Sequence, residues 1–135
     1  ASRGDLPAPQ TQIYLGDTLG ELGLFYRLSD IVFMGGSLIK HGGQNPLEPA
    51  RLACAILAGP YTHNFSDIYR DLEKANACLC VQTPQALAAQ VERLLKQDSL
   101  VQGLQTAAKQ WVDLRSGAVS RLLEELHPVF ASAAA

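Results

Sequence analysis

Short apolar runs alternate with stretches of helical periodicity along this chain, and the alternation constrains the fold more than any other feature. The apolar runs are Ile31 to Met34, Ala55 to Ala58 and Cys78 to Val81. Continuous apolar runs of this length are typical of parallel strands that are buried on both faces. Helices that connect such strands form right-handed crossovers. The sequence therefore predicts an α/β domain with a parallel sheet flanked by helices.

Several of the predicted helices carry capping signals at their starts. Thr18 and Glu21 have the spacing of a capping box, which predicts a helix from Glu21 to Leu28. Asn64 is the predicted N-cap of a later helix, and Thr83 followed by proline predicts the start of another. The remaining expectations are a strand at residues 12–15, helices at residues 45–53, 65–74, 100–112 and 119–126, and a disordered tail at residues 131–135.

Length and charge limit the classes of protein to which the chain can belong. Its 135 residues suit one compact domain, and 47% of them are hydrophobic, as in ordinary globular proteins. A formal net charge of -2 leaves no basic surplus for a nucleic-acid backbone, so no nucleic acid is expected as a partner. The apolar runs are too short to span a bilayer, and residues 1–10 do not have the apolar core of a signal peptide.

The cysteines and histidines do not have the pattern of a metal site. Cys54, Cys78 and Cys80 are odd in number, which fits free thiols in a reducing compartment better than a disulfide framework. The three histidines are far apart and lack metal-ligand spacing. Dinucleotide, Walker, hydrolase-elbow and zinc-protease motifs are absent from the sequence. The sequence therefore predicts neither a metal nor a cofactor.

The segment after the first apolar run concentrates glycine next to a helix start. Gly35, Gly36, Gly42 and Gly43 are four of the 11 glycines, and Asn45 with the following proline can begin a helix. Glycine lets backbone N–H groups approach a ligand closely, and a helix start adds free N–H groups. Ligands of parallel sheets bind beyond the carboxyl ends of the strands. This loop is either a phosphate site or a purely structural turn.

Two glutamates each have two interpretations. Glu48 lies three residues after Asn45, so it can complete a capping box or accept hydrogen bonds from ribose hydroxyls. Glu21 can cap its own helix, or it can contact a ligand together with the neighbouring Thr18 and Gly20.

Three basic or titratable loop residues are weaker candidates. Lys40 is either a phosphate partner or a surface charge, and His41 is either an acid–base group or a solvated side chain. His63 follows the second apolar run and is a candidate loop contact.

Four ordered blocks in the first half of the chain resemble one protein family. They read GDTLGELGLFY at residues 16–26, FMGGSL at 33–38, HGGQNPLEPA at 41–50 and GPYTHNF at 59–65. In this order and spacing they resemble the carboxyl-terminal part of bacterial 3-deoxy-D-manno-octulosonic acid (Kdo) transferases. The resemblance implies a GT-B glycosyltransferase with two Rossmann-like domains. Residues 1–130 would then form the carboxyl-terminal, nucleotide-sugar-binding domain, incomplete at its amino-terminal side.

The resemblance also implies a reaction and a place for it. The whole enzyme would transfer Kdo from CMP-Kdo to a lipid A precursor in lipopolysaccharide biosynthesis, without a metal and with inversion. The acceptor site, the acidic catalytic residue and the membrane anchor would belong to an amino-terminal domain. The whole enzyme is thus expected at the cytoplasmic face of the bacterial inner membrane. This chain alone is expected to be soluble and inactive, with no catalytic residue of its own.

The resemblance assigns the donor-binding residues by their motif positions. Those expected near the phosphate are Gly35, Gly36, Ser37, Gln44 and Asn45. Those expected near the ribose and base are Glu48, Thr18, Gly20 and Glu21.

Three positions depart from the usual pattern of the family. Gln44 stands where histidine is usual, so cationic help to the leaving phosphate from that position would be absent. Tyr61 replaces a common histidine, and His63 replaces a common aromatic residue.

Two alternative functions stay open: a non-catalytic nucleotide-sugar-binding or partner-docking domain of the same fold, and a GT-B enzyme that uses another nucleotide sugar.

Overall fold

A three-stranded parallel sheet lies at the centre of the structure, a computed structural model that describes residues 6–117. The strands are β1 (Ile31–Phe33), β2 (Ala55–Ala58) and β3 (Cys78–Cys80), in the spatial order β1-β2-β3. In the register, Val32 is opposite Ile56, and Ile56 is opposite Cys78. All three predicted apolar runs therefore form parallel strands, and the predicted α/β class is confirmed.

Five α-helices in the described part of the chain connect and cover these strands. They are α1 (Leu22–Leu28), α2 (Leu47–Arg51), α3 (Ser66–Lys74), α4 (Pro84–Lys96) and α5 (Asp98–Arg115). A 3-10 turn at His63–Phe65 leads into α3. The predicted helix at residues 119–126 and the predicted tail at residues 131–135 lie outside the described residues. Within residues 6–117, no helix is both long and apolar enough to cross a bilayer.

The two faces of β2 pack into two separate cores. Ile56 and Ala58 belong to one core, in which the buried α3 residues Tyr69 and Leu72 also lie. Ala55 and Leu57 belong to the other, with Leu94 of α4. The long helix α5 contributes to both: Val101 and Leu104 to the second core, and Ala108, Trp111 and Val112 to the first. Burial of each large apolar side chain contributes about 1.5–3 kcal/mol, so α5 stabilises both faces of the sheet.

The first strand is less buried than its apolar run predicts. Residues Ile31–Phe33 are half-buried, whereas all four residues of β2 are buried. The reason is position, because β2 lies between two strands and β1 is an edge strand of the sheet described here.

The strand predicted at residues 12–15 is wrong. This segment has no regular secondary structure and pairs with no strand of the three-stranded sheet. Ile13 and Leu15 are 90% and 72% exposed, so the apolar alternation does not cover a core. The ring of Tyr14 instead lies 6.1 Å from the ring of Phe25 on α1. A strand needs both a partner edge and a buried face, and neither is present here.

One of three predicted helix caps at Thr18, Asn64 and Thr83 is formed. Thr83 caps α4, with Oγ1 accepting a hydrogen bond from Ala86 N at 3.1 Å. The capping box at Thr18 is wrong, because α1 begins only at Leu22 and follows a turn at Gly20 with φ of 88°. The predicted N-cap role of Asn64 is also wrong, since its side-chain amide bonds to the backbone of His41 instead.

The helix predicted at residues 45–53 is shorter than expected. Asn45 does cap it, because Asn45 Oδ1 accepts a hydrogen bond from Leu47 N at 3.0 Å. The helix ends early because Ala53 adopts a left-handed conformation, with φ of 56°.

Candidate functional site

The loop after β1 is joined to the loop after β2 through one buried serine. The Ser37 hydroxyl donates to Met34 O and accepts from Gly59 N at 2.8 Å. Tyr61 N also donates to Ser37 O at 2.9 Å. Ser37 is 0% exposed, so its hydroxyl holds two loops together and does not face a ligand. The side chain of this predicted phosphate residue thus has a structural role.

Two glycines make this close packing possible. A Cβ atom on Gly59 would overlap the carbonyl group of Ser37. Gly42 has a φ of 104°, and a Cβ atom there would overlap the side chain of Asn64. Asn64 N in turn donates to Gly42 O at 3.2 Å. The glycine-rich loop is therefore a tightly fixed structure that is held from the loop after β2.

Helix α3 fixes the far end of the same loop. The hydroxyl of Tyr69 donates to Gln44 O at 2.7 Å, and Tyr69 is only 1% exposed. Burial raises the pKa of the Tyr69 phenol above its ordinary value, so the hydroxyl keeps its proton and remains a donor. The Gln44 backbone is thereby held while its side chain stays exposed.

A cavity of about 420 Å³ opens beside the carboxyl end of β1. Its lining residues come from α1, β1, the glycine-rich loop and the start of α2: Leu22, Tyr26, Val32, Phe33, Met34, Gly35, Gln44, Asn45 and Glu48. Four predicted site residues, Gly35, Gln44, Asn45 and Glu48, are thus brought together. Sequence reasoning missed the α1 wall, although the helical spacing of Leu22 and Tyr26 places both on one face.

Glu48 is the acidic residue that lines this cavity. Its side chain is exposed, and its carboxylate makes no hydrogen bond or ion pair within residues 6–117. The capping box with Asn45 is not formed, so the capping interpretation of Glu48 is not supported. Burial, with a smaller effect of the Glu48 charge and then of Cys54, raises the pKa of the neighbouring Tyr26 phenol. The cavity therefore presents a free carboxylate beside a protonated phenol.

The other predicted site residues do not line this cavity. The backbone of Glu21 starts α1, and its carbonyl accepts from Leu24 N at 3.0 Å. Gly20 forms the turn before it, and the Thr18 hydroxyl is buried without a hydrogen-bond partner in the described part of the chain. The glycine-rich loop carries Gly36, whose Cβ position would lie 2.8 Å from the ring of His41. Lys40, His41 and His63 are all exposed.

A second cavity, of about 450 Å³, lies between α1 and α2. It shares Asn45 and Glu48 with the first cavity and is also lined by Arg27, Leu47, Arg51 and Leu52. Sequence reasoning missed both arginines, because each stands in an ordinary helical position outside the loops. Glu48 thus lies between a cavity beside β1 and a basic cavity behind it.

The first cavity has the chemical features of a nucleotide site. Apolar side chains of α1 and β1 offer a surface for a sugar or a base, and the carboxylate of Glu48 can accept hydrogen bonds from a diol. The glycine-rich loop brings backbone groups to the same opening. Within residues 6–117, no three His, Cys, Asp or Glu side chains are grouped as metal ligands.

Known proteins similar to this chain share one name. A 3-deoxy-D-manno-octulosonic acid transferase of Haemophilus influenzae is 43% identical over 128 residues, which are 94% of this chain and 30% of that protein. The transferase of the same name from Bordetella pertussis is 34% identical over 120 residues, 89% of this chain and 28% of that protein. The chain therefore spans less than a third of these curated relatives. No family model matches the chain.

One solved structure has the same fold. The crystal structure of the C-terminal CMP-Kdo binding domain of WaaA from Acinetobacter baumannii superposes with a TM-score of 0.77 at 35% identity. The match covers 81% of this chain and 57% of that one.

Proposed function

Because the chain is homologous to the carboxyl-terminal part of 3-deoxy-D-manno-octulosonic acid transferases, we propose that it is the donor-binding part of such a glycosyltransferase. The donor is CMP-Kdo, and the whole protein transfers Kdo to a lipid A precursor. The observation that carries the proposal is the cavity beside β1, where a free Glu48 carboxylate meets the glycine-rich loop. The name of the solved neighbour supports the choice of donor.

The proposed donor lies along the opening with its phosphate toward the loop. Backbone groups of Gly35 and Gly36 and the side chains of Gln44 and Asn45 bind the phosphate. Glu48 accepts hydrogen bonds from the ribose diol, because a carboxylate suits hydroxyl donors and repels phosphate. The base lies near the turn formed by Thr18, Gly20 and Glu21. Ser37 acts indirectly, by fixing the loop.

The contribution of this chain to catalysis is stabilisation of the departing CMP. Glycosyl transfer leaves negative charge on the phosphate, and fixed N–H donors lower the energy of that charge in the transition state. We propose an inverting, metal-independent reaction in which the acidic catalytic residue, the acceptor site and the membrane contact belong to the rest of the protein. The whole protein would act at the cytoplasmic face of the inner membrane. This chain alone would bind donor without transferring Kdo.

Calorimetric titration with CMP and UMP tests the proposal. We expect CMP to bind more tightly than UMP, and Glu48→Gln to weaken CMP binding about tenfold. The control variant is Glu92→Gln, an exposed glutamate of α4 outside the cavity, which should bind CMP normally. Equal binding of CMP and UMP would favour another nucleotide sugar. In the whole protein, Kdo transfer undiminished by Glu48→Gln would contradict the proposed role of Glu48.

A further inference from the structure

We infer that Gly23 and Arg27 of α1 are positioning residues that hold the Glu48 carboxylate ready for the donor's ribose. The inference rests on the proposed function, because it concerns how the proposed ribose contact is prepared. Neither residue lines the cavity beside β1, so both would act through Glu48 and not by touching the nucleotide.

The geometry places all three groups at one point on the surface of α1. A Cβ atom on Gly23 would lie 3.1 Å from Glu48 Oε1 and 3.8 Å from Arg27 Nη1. The Arg27 side chain folds back along its own helix, with Nη1 donating to Gly23 O at 3.5 Å. This contact joins residues four positions apart, which are neighbours on a helix surface. The carboxylate and the guanidinium are therefore both gathered against the glycine backbone.

The missing side chain at position 23 is what admits the carboxylate. A methyl group 3.1 Å from Oε1 would be closer than the usual optimum for nonbonded heavy atoms. Glu48 is exposed and long, so its carboxylate would shift by a few tenths of an ångström away from α1 and would not push the helices apart. Gly23 thus sets how closely the carboxylate approaches α1 without hydrogen bonding to it.

Arg27 supplies the charge that favours this position. Within residues 6–117, Arg27 forms no ion pair, and it lines the basic cavity behind Glu48 together with Arg51. An arginine nearby attracts the carboxylate toward α1 and limits the orientations that it samples. Because the Glu48 side chain is already restricted before the ligand arrives, binding costs less side-chain entropy. The attraction is weakened by salt because both side chains are exposed.

Alanine at position 23 tests the contact, and alanine at position 103 is its matched control. Both glycines lie inside helices, but a Cβ atom on Gly103 would have nothing within 4 Å. Both variants gain helix propensity, so neither should unfold at a lower temperature than the wild type. We expect Gly23→Ala to weaken CMP binding about threefold, a smaller loss than that of Glu48→Gln, and Gly103→Ala to leave it unchanged.

A nucleotide that lacks the ribose diol distinguishes displacement of the Glu48 carboxylate from a general loss of binding-site structure. With 2′,3′-dideoxy-CMP, Gly23→Ala and the wild type should bind equally, since the ribose contact is already lost. A loss of affinity in Gly23→Ala that persists with this ligand would overturn the inference.

Substitution of the arginine is the independent test. Arg27→Gln should weaken CMP binding several-fold at low salt and less at high salt, and Arg27→Lys should restore part of the affinity. If the wild type binds CMP and both Gly23→Ala and Arg27→Gln bind it equally well, the inference is wrong and the proposed function stands. If the wild type does not bind CMP, the proposed function fails, and this inference fails with it.

Discussion

Ser37 illustrates how a residue in a binding motif can serve the fold. Its hydroxyl links Met34 O to Gly59 N and is fully buried. The family resemblance implies a place near the phosphate for Ser37, because it belongs to the second motif block. The motif position was informative, but the direction of the side chain depends on how closely β2 approaches, which no local pattern encodes.

Removing this hydroxyl should destabilise the domain. We predict that Ser37→Ala lowers the free energy of unfolding by about 1–3 kcal/mol, because Gly59 N and Met34 O lose a buried partner. Urea unfolding measures the effect. Ser99→Ala, on the exposed surface of α5, is the control and should change stability by less than about 0.5 kcal/mol. Equal stability of both variants would show that Ser37 does not hold the loops.

For Glu48, the local sequence spacing predicts a capping role that the structure does not show. The spacing from Asn45 permits a capping box, but Asn45 alone caps α2 and the carboxylate of Glu48 stays free. Glu48 Oε1 lies instead next to α1, where Gly23 has no side chain to occupy the space. A contact between residues 25 positions apart is invisible to capping rules. The contribution of Glu48 to ligand binding remains a prediction.

At the scale of elements, the sequence predicts best where the signal is local, as in a continuous apolar run or a helix cap. The runs that became β2 and β3, and the Thr83 cap of α4, were located correctly. Residues 12–15 failed because a strand depends on a partner edge. Asn64 failed as a cap because its amide has a better-placed acceptor in the glycine-rich loop. Tertiary contacts therefore override propensity at the site itself.

Helix α3 should influence ligand binding although it does not line the cavity. We predict that Tyr69→Phe weakens CMP binding and lowers the free energy of unfolding by about 1 kcal/mol, because Gln44 O loses its hydrogen bond. The control is again Ser99→Ala, on the exposed surface of α5 and outside the cavity. Calorimetry and urea unfolding measure the two effects. Unchanged affinity in Tyr69→Phe would mean that α3 does not hold the loop in its binding conformation.

At the scale of the whole molecule, buried thiols give the stability a characteristic dependence on pH. Burial, with smaller effects of Glu73 and Cys80, raises the pKa of the Cys78 thiol from 9.0 to about 12. Burial also raises the pKa of Cys54. Above pH 9 the unfolded thiols lose protons that the folded protein retains. The stability contributed by the Cys78 thiol is therefore fully present below pH 9 and falls as the pH rises toward 12, and the Cys54 thiol acts in the same direction.

We predict that the free energy of unfolding falls by about 1 kcal/mol or more between pH 8 and pH 10. Urea unfolding across this range measures the loss. Cys78→Ala should reduce the decrease, because the alanine variant has no thiol to ionise at that position. An unfolding free energy that does not change with pH would contradict the buried, protonated state of these thiols.

The proposed function requires that CMP bind at the carboxyl end of β1, beside the glycine-rich loop. The measurement that tests it most directly is a titration of isotope-labelled protein with CMP, followed by amide chemical shifts. We predict that the shifts change at Gly35, Gly36 and residues 44–48, and along the α1 wall at residues 20–26, while α4 and α5 keep theirs. Absence of shifts at millimolar CMP, or shifts confined to α4 and α5, would contradict donor binding at the cavity beside β1.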